Sequence, residues 1–270
     1  MRNMYSLSLG VVCLLMALAG CVGSGNPGGQ TSAAPASSPS PHAVRIVALG
    51  DSDATGEGDP TGQGWVGRYA ALVRQGTGSP VHVTNLAVGG KTSDVLLTEV
   101  RSNPVTRQAL RGADVVLLGI GGADLNWGDD HLQAGQCQGR ACYTPLLRQF
   151  GRNFDATVAG VRQLAGRSAL IRAISFPNGY PGAGTAYPPF ATADISLYQT
   201  VTERSIICRA VRKYGGDCID AMRAFNGPSG TGDPYKAGLM TKDPCCYPSA
   251  QGQKLMAQLL YRLGVEPLQS

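Results

Sequence analysis

Five short apolar segments, separated by amphipathic ones, constrain the fold of this chain more than any other feature. The apolar segments are rich in Val, Ile and Leu and nearly continuous, which is typical of strands buried on both faces. They lie at residues 44–49, 81–88, 114–120, 168–176 and 217–220. Apolar residues recur at helical spacing between them, most clearly at 65–75, 146–164, 195–214 and 249–263. This alternation predicts one three-layer α/β domain with a five-stranded parallel sheet and helices on both faces.

The N-terminus lacks this pattern and indicates export. Arg2 is followed by an apolar stretch over residues 7–19 that is too short to span a bilayer. Residues 18–21, Leu-Ala-Gly-Cys, resemble the lipobox of bacterial lipoproteins. The resemblance implies a signal peptide over 1–20, lipidation of Cys21 and a membrane anchor on the extracytoplasmic face. The alternative is an ordinary secretory signal with a chance cysteine.

Residues 21–42 are uncharged and consist mostly of Gly, Ser, Pro and Ala, which predicts a flexible tether. As a coil of about 20 residues, the tether would span on the order of 25 Å. The folded domain is therefore expected over residues 43–270.

Cysteine usage agrees with an exported protein. Six cysteines remain beyond the signal and the lipidation site, and an oxidising compartment favours disulfides for them. Cys137 and Cys142 bracket a short polar loop, while Cys208 lies late in a predicted helix and Cys218 begins the next strand. The adjacent residues Cys245 and Cys246 could form a vicinal bridge, remain thiols or pair elsewhere.

Charge and motif content exclude several functional classes. The net charge is +5, but Lys and Arg are scattered without the cluster expected of a nucleic-acid-binding protein. The chain has three His, no Cys-x-x-Cys pair and no His-Glu-x-x-His motif, so we expect no metal site and no cofactor.

A serine follows the first predicted strand directly. Residues 50–52 read Gly-Asp-Ser, on a turn rich in glycine. Because ligands bind at the carboxyl ends of strands in parallel sheets, the Ser52 hydroxyl is expected at the functional edge. Alone, this tripeptide is also compatible with a turn or helix-capping serine.

Four blocks in order resemble the GDSL, or SGNH, hydrolases, which are flavodoxin-like esterases, lipases and acetyl-hydrolases. The blocks are the Gly-Asp-Ser turn, residues 85–92, residues 121–124 and residues 243–252, and the resemblance covers most of 44–263. It implies that Ser52 is the nucleophile. It also implies that the backbone amides of Ser52 and Gly90 stabilise the oxyanion.

Two positions depart from the family pattern. Ala123 replaces an expected oxyanion Asn, although Asn126 lies three residues further on, and Tyr247 replaces the expected catalytic His. A phenol with a pKa near 10 does not accept the serine proton at pH 7 unless it is strongly perturbed. The candidate replacement bases are His131, expected in a loop after the third strand, and Asp243, if burial raises its pKa.

Two functions therefore remain open. The first is an ester hydrolase that acts on acyl or acetyl esters of the cell envelope through Ser52. The second is a catalytically impaired relative whose pocket binds an envelope lipid, a glycan or a protein partner. Ser52 and Gly90 favour the first function, and Ala123 and Tyr247 favour the second. The aromatic-rich loop after the fourth strand would either overhang the pocket or form a surface connection.

Overall fold

A parallel sheet forms the centre of the domain. The computed structural model describes residues 42–186 and 192–268, which belong to one compact unit, Ser40–Ser270. The strand order is β2-β1-β3-β4-β5, and every neighbouring pair is parallel, as predicted. The strands are β1 (Val44–Gly50), β2 (Val81–Asn85), β3 (Val115–Gly119), β4 (Leu170–Ile174) and β5 (Asp217–Ile219).

Helices cover both faces of this sheet. Alternation along the buried strands sends side chains such as Ile46 to one face and Val47 to the other. The first face packs on α2 (Gly64–Thr77) and α9 (Ala250–Tyr261). The second face packs on α3 (Ser93–Ser102), α4 (Pro104–Arg111), α6 (Thr144–Ala165) and α7 (Ala193–Lys213). The remaining elements are α1 (Ser52–Thr55), α5 (Gly122–Gln133), α8 (Ala221–Asn226) and a hairpin of β6 (Met240–Lys242) and β7 (Cys245–Pro248).

Two details of the sequence interpretation are wrong. Strand β2 is not buried on both faces: its last four residues are exposed, because it lies at the sheet edge and pairs with β1 alone. His131 lies in the last turn of α5 rather than in a loop. Helix α5 is rich in Gly and Asp, so its sequence does not predict a helix. Leu125 stabilises the helix by packing in a small cluster with Tyr143 and Leu147.

Two disulfides match the pairs that the cysteine spacing suggested. Cys137 bonds Cys142, and Cys208 bonds Cys218, which links the C-terminal part of α7 to β5. Cys246 is disulfide-bonded as well. The pairing of Cys245 lies outside the described side chains.

The N-terminal predictions fall outside the described residues: the signal peptide, Cys21 and the tether up to residue 41. Within the part that is described, no helix combines the length and the apolar character that crossing a bilayer requires.

The packing of α6 on the sheet gives a stability prediction. Phe154 is 1% exposed within the core of the second face. We expect Phe154→Ala to lower the free energy of unfolding by about 3–5 kcal/mol, because it leaves a cavity that the core cannot fill. Urea denaturation measures this change. The control Val105→Ala alters a residue that is 64% exposed and should change stability by less than about 0.5 kcal/mol. Equal effects would contradict this packing.

Candidate active site

A cavity of about 540 Å³ opens at the carboxyl ends of the strands, and Ser52 lines it. Its walls come from the segments that follow β1, β2, β3 and β4, together with α7 and β7. Ser52 begins α1 directly after β1, so the strand delivers the serine to this edge of the sheet. The placement agrees with the position expected of a nucleophile in a parallel α/β domain.

Asp51 ties together two of the turns that form the cavity. Its buried carboxylate accepts hydrogen bonds from the backbone N–H of Asp53 at 3.2 Å and of Gly121 at 3.1 Å. The first bond caps α1, and the second holds the turn after β3 beside the turn after β1. Burial raises the pKa of Asp51 from 3.8 to about 6, although the backbone hydrogen bonds oppose the shift.

The loop after β2 brings Gly90 to the same cavity. The Val88 N–H donates to the Gly50 carbonyl at 3.1 Å, so this loop continues along β1 beyond the end of β2. A Cβ built on Gly89 would lie 4.0 Å from the Ser52 Cβ. The amides of Ser52 and Gly90 donate no hydrogen bond within the described chain. Both are therefore free to bind an oxyanion.

A polar network fixes the helix that follows this loop. The Asp124 carboxylate accepts from the Ser93 N–H at 3.0 Å and from the Ser93 hydroxyl, and Asn153 donates to the Ser93 Oγ at 3.0 Å. These bonds join the N-termini of α3 and α5 to α6. Burial raises the pKa of Asp124 from 3.8 to about 6 against the hydrogen bonds from Ser93.

Tyr247 occupies the position next to the serine. Burial and the carboxylates of Glu57 and Asp53 raise the pKa of Tyr247 above 10, although the neighbouring Ser52 side chain lowers it in part. The side chain of Tyr247 is thus a neutral phenol at physiological pH. Gly58, with φ of +85°, permits this approach, because a Cβ there would lie 2.6 Å from the Tyr247 Cβ.

Gln253 of α9 positions the strand β7, which contains Tyr247. Its buried side-chain oxygen accepts a hydrogen bond from the backbone N–H of Trp65 at 2.8 Å, and its amide group donates to the Glu57 carbonyl at 3.1 Å. The same amide lies 3.4 Å from the Pro248 carbonyl. One side chain of α9 therefore connects α2, the turn after α1 and the end of β7.

The predicted replacement bases lie elsewhere. Neither His131 nor Asp243 lines the cavity, and Asp243 is exposed before a cis proline. Ala123 does line the cavity, and so does Asn126. Because both belong to α5 and are three residues apart, Asn126 lies one turn further along the same helix face.

Two acidic residues of the cavity were missed at the sequence level. Asp53 follows Ser52, and burial together with Asp51 and Glu57 raises its pKa well above the usual value. Glu203 projects from α7 and is 4% exposed, and its pKa is also strongly raised by burial. Adjacency to Ser52 was a signal for Asp53. No sequence signal marked Glu203, because only the packing of α7 brings it here.

Comparison with known proteins decides the family. The GDSL-like lipase/acylhydrolase family matches residues 48–255, which include Ser52, Gly90 and Tyr247. This chain belongs to that family.

One relative and several solved structures are also similar to this chain, the structures in fold. The uncharacterized protein YpmR of Bacillus subtilis (strain 168) is 41% identical over 83 residues, which cover 30% of this chain and 32% of YpmR. The lipase Lip_vut3 from a goat rumen metagenome has the same fold, with a TM-score of 0.68 at 18% identity over 82% of this chain and 97% of the lipase. A variant of an acetyl xylan esterase from Geobacillus stearothermophilus gives a TM-score of 0.58 at 16% identity over 81% and 93%.

Asp51 in the cavity of this GDSL-family chain and Asp124 beside it predict an unusual pH dependence of stability. Asp51 and Asp124 have a pKa of about 6 in the fold against 3.8 as the ordinary value. Between these values the folded state holds protons that the unfolded chain has released. The free energy of unfolding should therefore fall as the pH rises from about 4 to about 6, by at least about 2 kcal/mol in total.

Urea denaturation at pH 4.5 and pH 7 measures this fall. Asp124→Asn should reduce it, because Asn does not titrate. Asp130 is an exposed neighbour, so Asp130→Asn should leave the fall nearly unchanged. Stability that rises over this range in the wild-type protein would show that Asp51 and Asp124 ionise normally.

Proposed function

We propose that this protein is an exported, membrane-anchored member of the family that binds an acyl or acetyl ester of the cell envelope at Ser52 and hydrolyses it slowly. The observation that carries the proposal is the neutral Tyr247 phenol, which lines the cavity together with Ser52 where a base would have to act. Family membership supports the ester as the ligand class.

Hydrolysis through a serine requires an acceptor for the hydroxyl proton. As the Ser52 oxygen attacks the ester carbonyl carbon, its proton must move to a base and then to the departing alcohol. The phenol of Tyr247 already carries its own proton at neutral pH. Burial also raises the pKa of Asp53, which favours the protonated form of that carboxyl.

Stabilisation of the oxyanion is partly retained. The amides of Ser52 and Gly90 are available, but Ala123 supplies no side-chain donor. Loss of one oxyanion donor typically costs on the order of 10²–10³ in rate. Serine proteases that have lost a member of the catalytic triad retain roughly 10³–10⁴ over water from the oxyanion hole and binding. We therefore assign binding as the main role, with slow turnover as a remnant.

Efficient ester hydrolysis is the second candidate function. The two free amides beside Ser52 favour it, because a protein that had lost all selection for catalysis would not need them. The two functions differ in how far Ser52-dependent turnover depends on residue 247.

Substitution of Tyr247 tests the proposal. Wild type and Ser52→Ala should hydrolyse p-nitrophenyl acetate at pH 8 with kcat/KM values within about tenfold of each other. Tyr247→His should raise kcat/KM by about tenfold or more, because an imidazole can accept the serine proton. The gain should vanish in the double variant with Ser52→Ala. Tyr247→Phe is the matched control: it removes the phenol hydroxyl, adds no base and should give no gain.

Labelling provides the opposing outcome. Rapid reaction of the wild-type protein with a fluorophosphonate, blocked by Ser52→Ala, would indicate an activated serine. Together with wild-type turnover that Tyr247→His does not improve, it would establish the efficient hydrolase instead.

Membrane anchoring rests on the lipobox-like residues 18–21 and has a separate test. When the full-length chain is expressed in a bacterium, it should incorporate a labelled fatty acid and sediment with membranes. Cys21→Ser should abolish the label and release the protein from the membrane fraction, while Cys13→Ser should change neither. Sedimentation of the Cys21→Ser protein with membranes would contradict a lipid anchor.

A further inference from the structure

The ionisable residues that line the Ser52 cavity are predominantly acidic. Five carboxyl residues line it, and the described residues of its lining include no Lys, Arg or His. These acids are Asp51, Asp53, Glu57, Asp129 and Glu203. Such a cavity disfavours a ligand that brings a negative charge, whereas a positive charge is stabilised by the ionised forms of its acids.

Glu203 contributes a hydrogen-bond acceptor that is not satisfied within the protein. It is 4% exposed, and its Oε1 atom is buried without a hydrogen-bond partner. Gly121 leaves the space for it, because a Cβ at that residue would lie 2.1 Å from Oε1. A buried polar group without a partner typically costs about 1–3 kcal/mol. A donor on a bound ligand would recover part of that cost.

The surroundings of Glu203 explain which donor fits. Burial and the carboxyls of Asp51, Asp124 and Asp53 raise its pKa, and among the described residues that line the cavity no cation compensates them. A hydroxyl group would supply a donor but would leave this repulsion unchanged. A protonated amine supplies both an N–H donor and the missing positive charge.

We propose that the ligand of the Ser52 cavity carries a protonated amine and that Glu203 is the residue that binds it. The ester part of this ligand rests on the proposed function, whereas the amine rests on the cavity walls. A metal ion fits less well, because the described residues contain no group of three or more His, Cys, Asp or Glu placed to hold one. Phe176 and Tyr247 also line the cavity and can contact the amine substituents.

Binding of an amine should be linked to proton release. The positive charge favours the ionised form of Glu203 and of its acidic neighbours, so their pKa values fall when the ligand binds. Protons held by the empty cavity then pass to the buffer. This linkage distinguishes recognition by Glu203 from simple attraction to the surface.

Isosteric esters test the proposal by titration calorimetry with the full-length chain carrying Ser52→Ala, so that hydrolysis has no influence. At about pH 7, 2-(dimethylamino)ethyl acetate is a cation with one N–H donor, and 3-methylbutyl acetate is its neutral isostere. We expect the amine to bind at least tenfold more tightly than the isostere, and 3-acetoxypropanoate to bind more weakly than both. Heats measured in buffers of different ionisation enthalpy should reveal proton release with the amine.

Two variants and one further ligand assign the effect to Glu203. Adding Glu203→Gln should reduce the preference for the amine and the proton release, while Asp130→Asn, outside the cavity, should reduce neither. Acetylcholine has the charge but no N–H donor and should bind more weakly than the amine.

Three results would overturn the proposal: equal affinity for amine and isostere, failure of every ester to bind, or a preference that survives Glu203→Gln. If Glu203→Gln does not fold, equal binding of acetylcholine and the amine would still refute the hydrogen bond to Glu203. None of these results depends on turnover, so they are separate from the test of Tyr247.

Discussion

The carboxylate of Asp51 is the constraint on which the site depends. Its bonds to the backbone of Asp53 and Gly121 connect the ends of two adjacent strands, and the cavity exists because these ends are held together. Burying the acid raises its pKa, which shows that the fold accepts an electrostatic cost here. Burial likewise raises the pKa of Asp124, whose carboxylate joins α5 to α3. Burial of these two acids therefore lowers the stability of the fold, while their hydrogen bonds position the segments that carry Ser52 and Gly90.

The cavity contains the serine of the GDSL-family pattern, but the ionisable group beside that serine differs from the one that the pattern implies. In the family pattern a histidine accepts the serine proton, whereas here the serine faces a phenol whose pKa is raised. Asp53 and Glu203 add further groups whose protonated forms are favoured. A site whose acids hold their protons is poorly suited to rapid general-base catalysis, and a cation that binds there must displace some of those protons.

Much of this architecture was predictable, and the exceptions have physical reasons. Continuous apolar strands such as β3 predicted the sheet, and cysteine spacing predicted the Cys137–Cys142 and Cys208–Cys218 bonds. Helix α5 was missed because its stability comes from the packing of Leu125 rather than from helix propensity. The candidate bases His131 and Asp243 were chosen by position in the chain, and neither side chain lines the cavity.

The sequence by itself determined the layered fold, the position of Ser52 after the first strand and the presence of Ala123 and Tyr247 in the blocks that resemble the family. These properties depend on local periodicity and on residue identity, which are visible without coordinates. Only the tertiary structure decided which groups surround the serine. Glu203 lies 151 residues away from Ser52 in the chain, and its arrival beside Gly121 depends on how α7 packs on the sheet. Burial then sets the protonation of each acid, and burial is a property of the packed molecule alone.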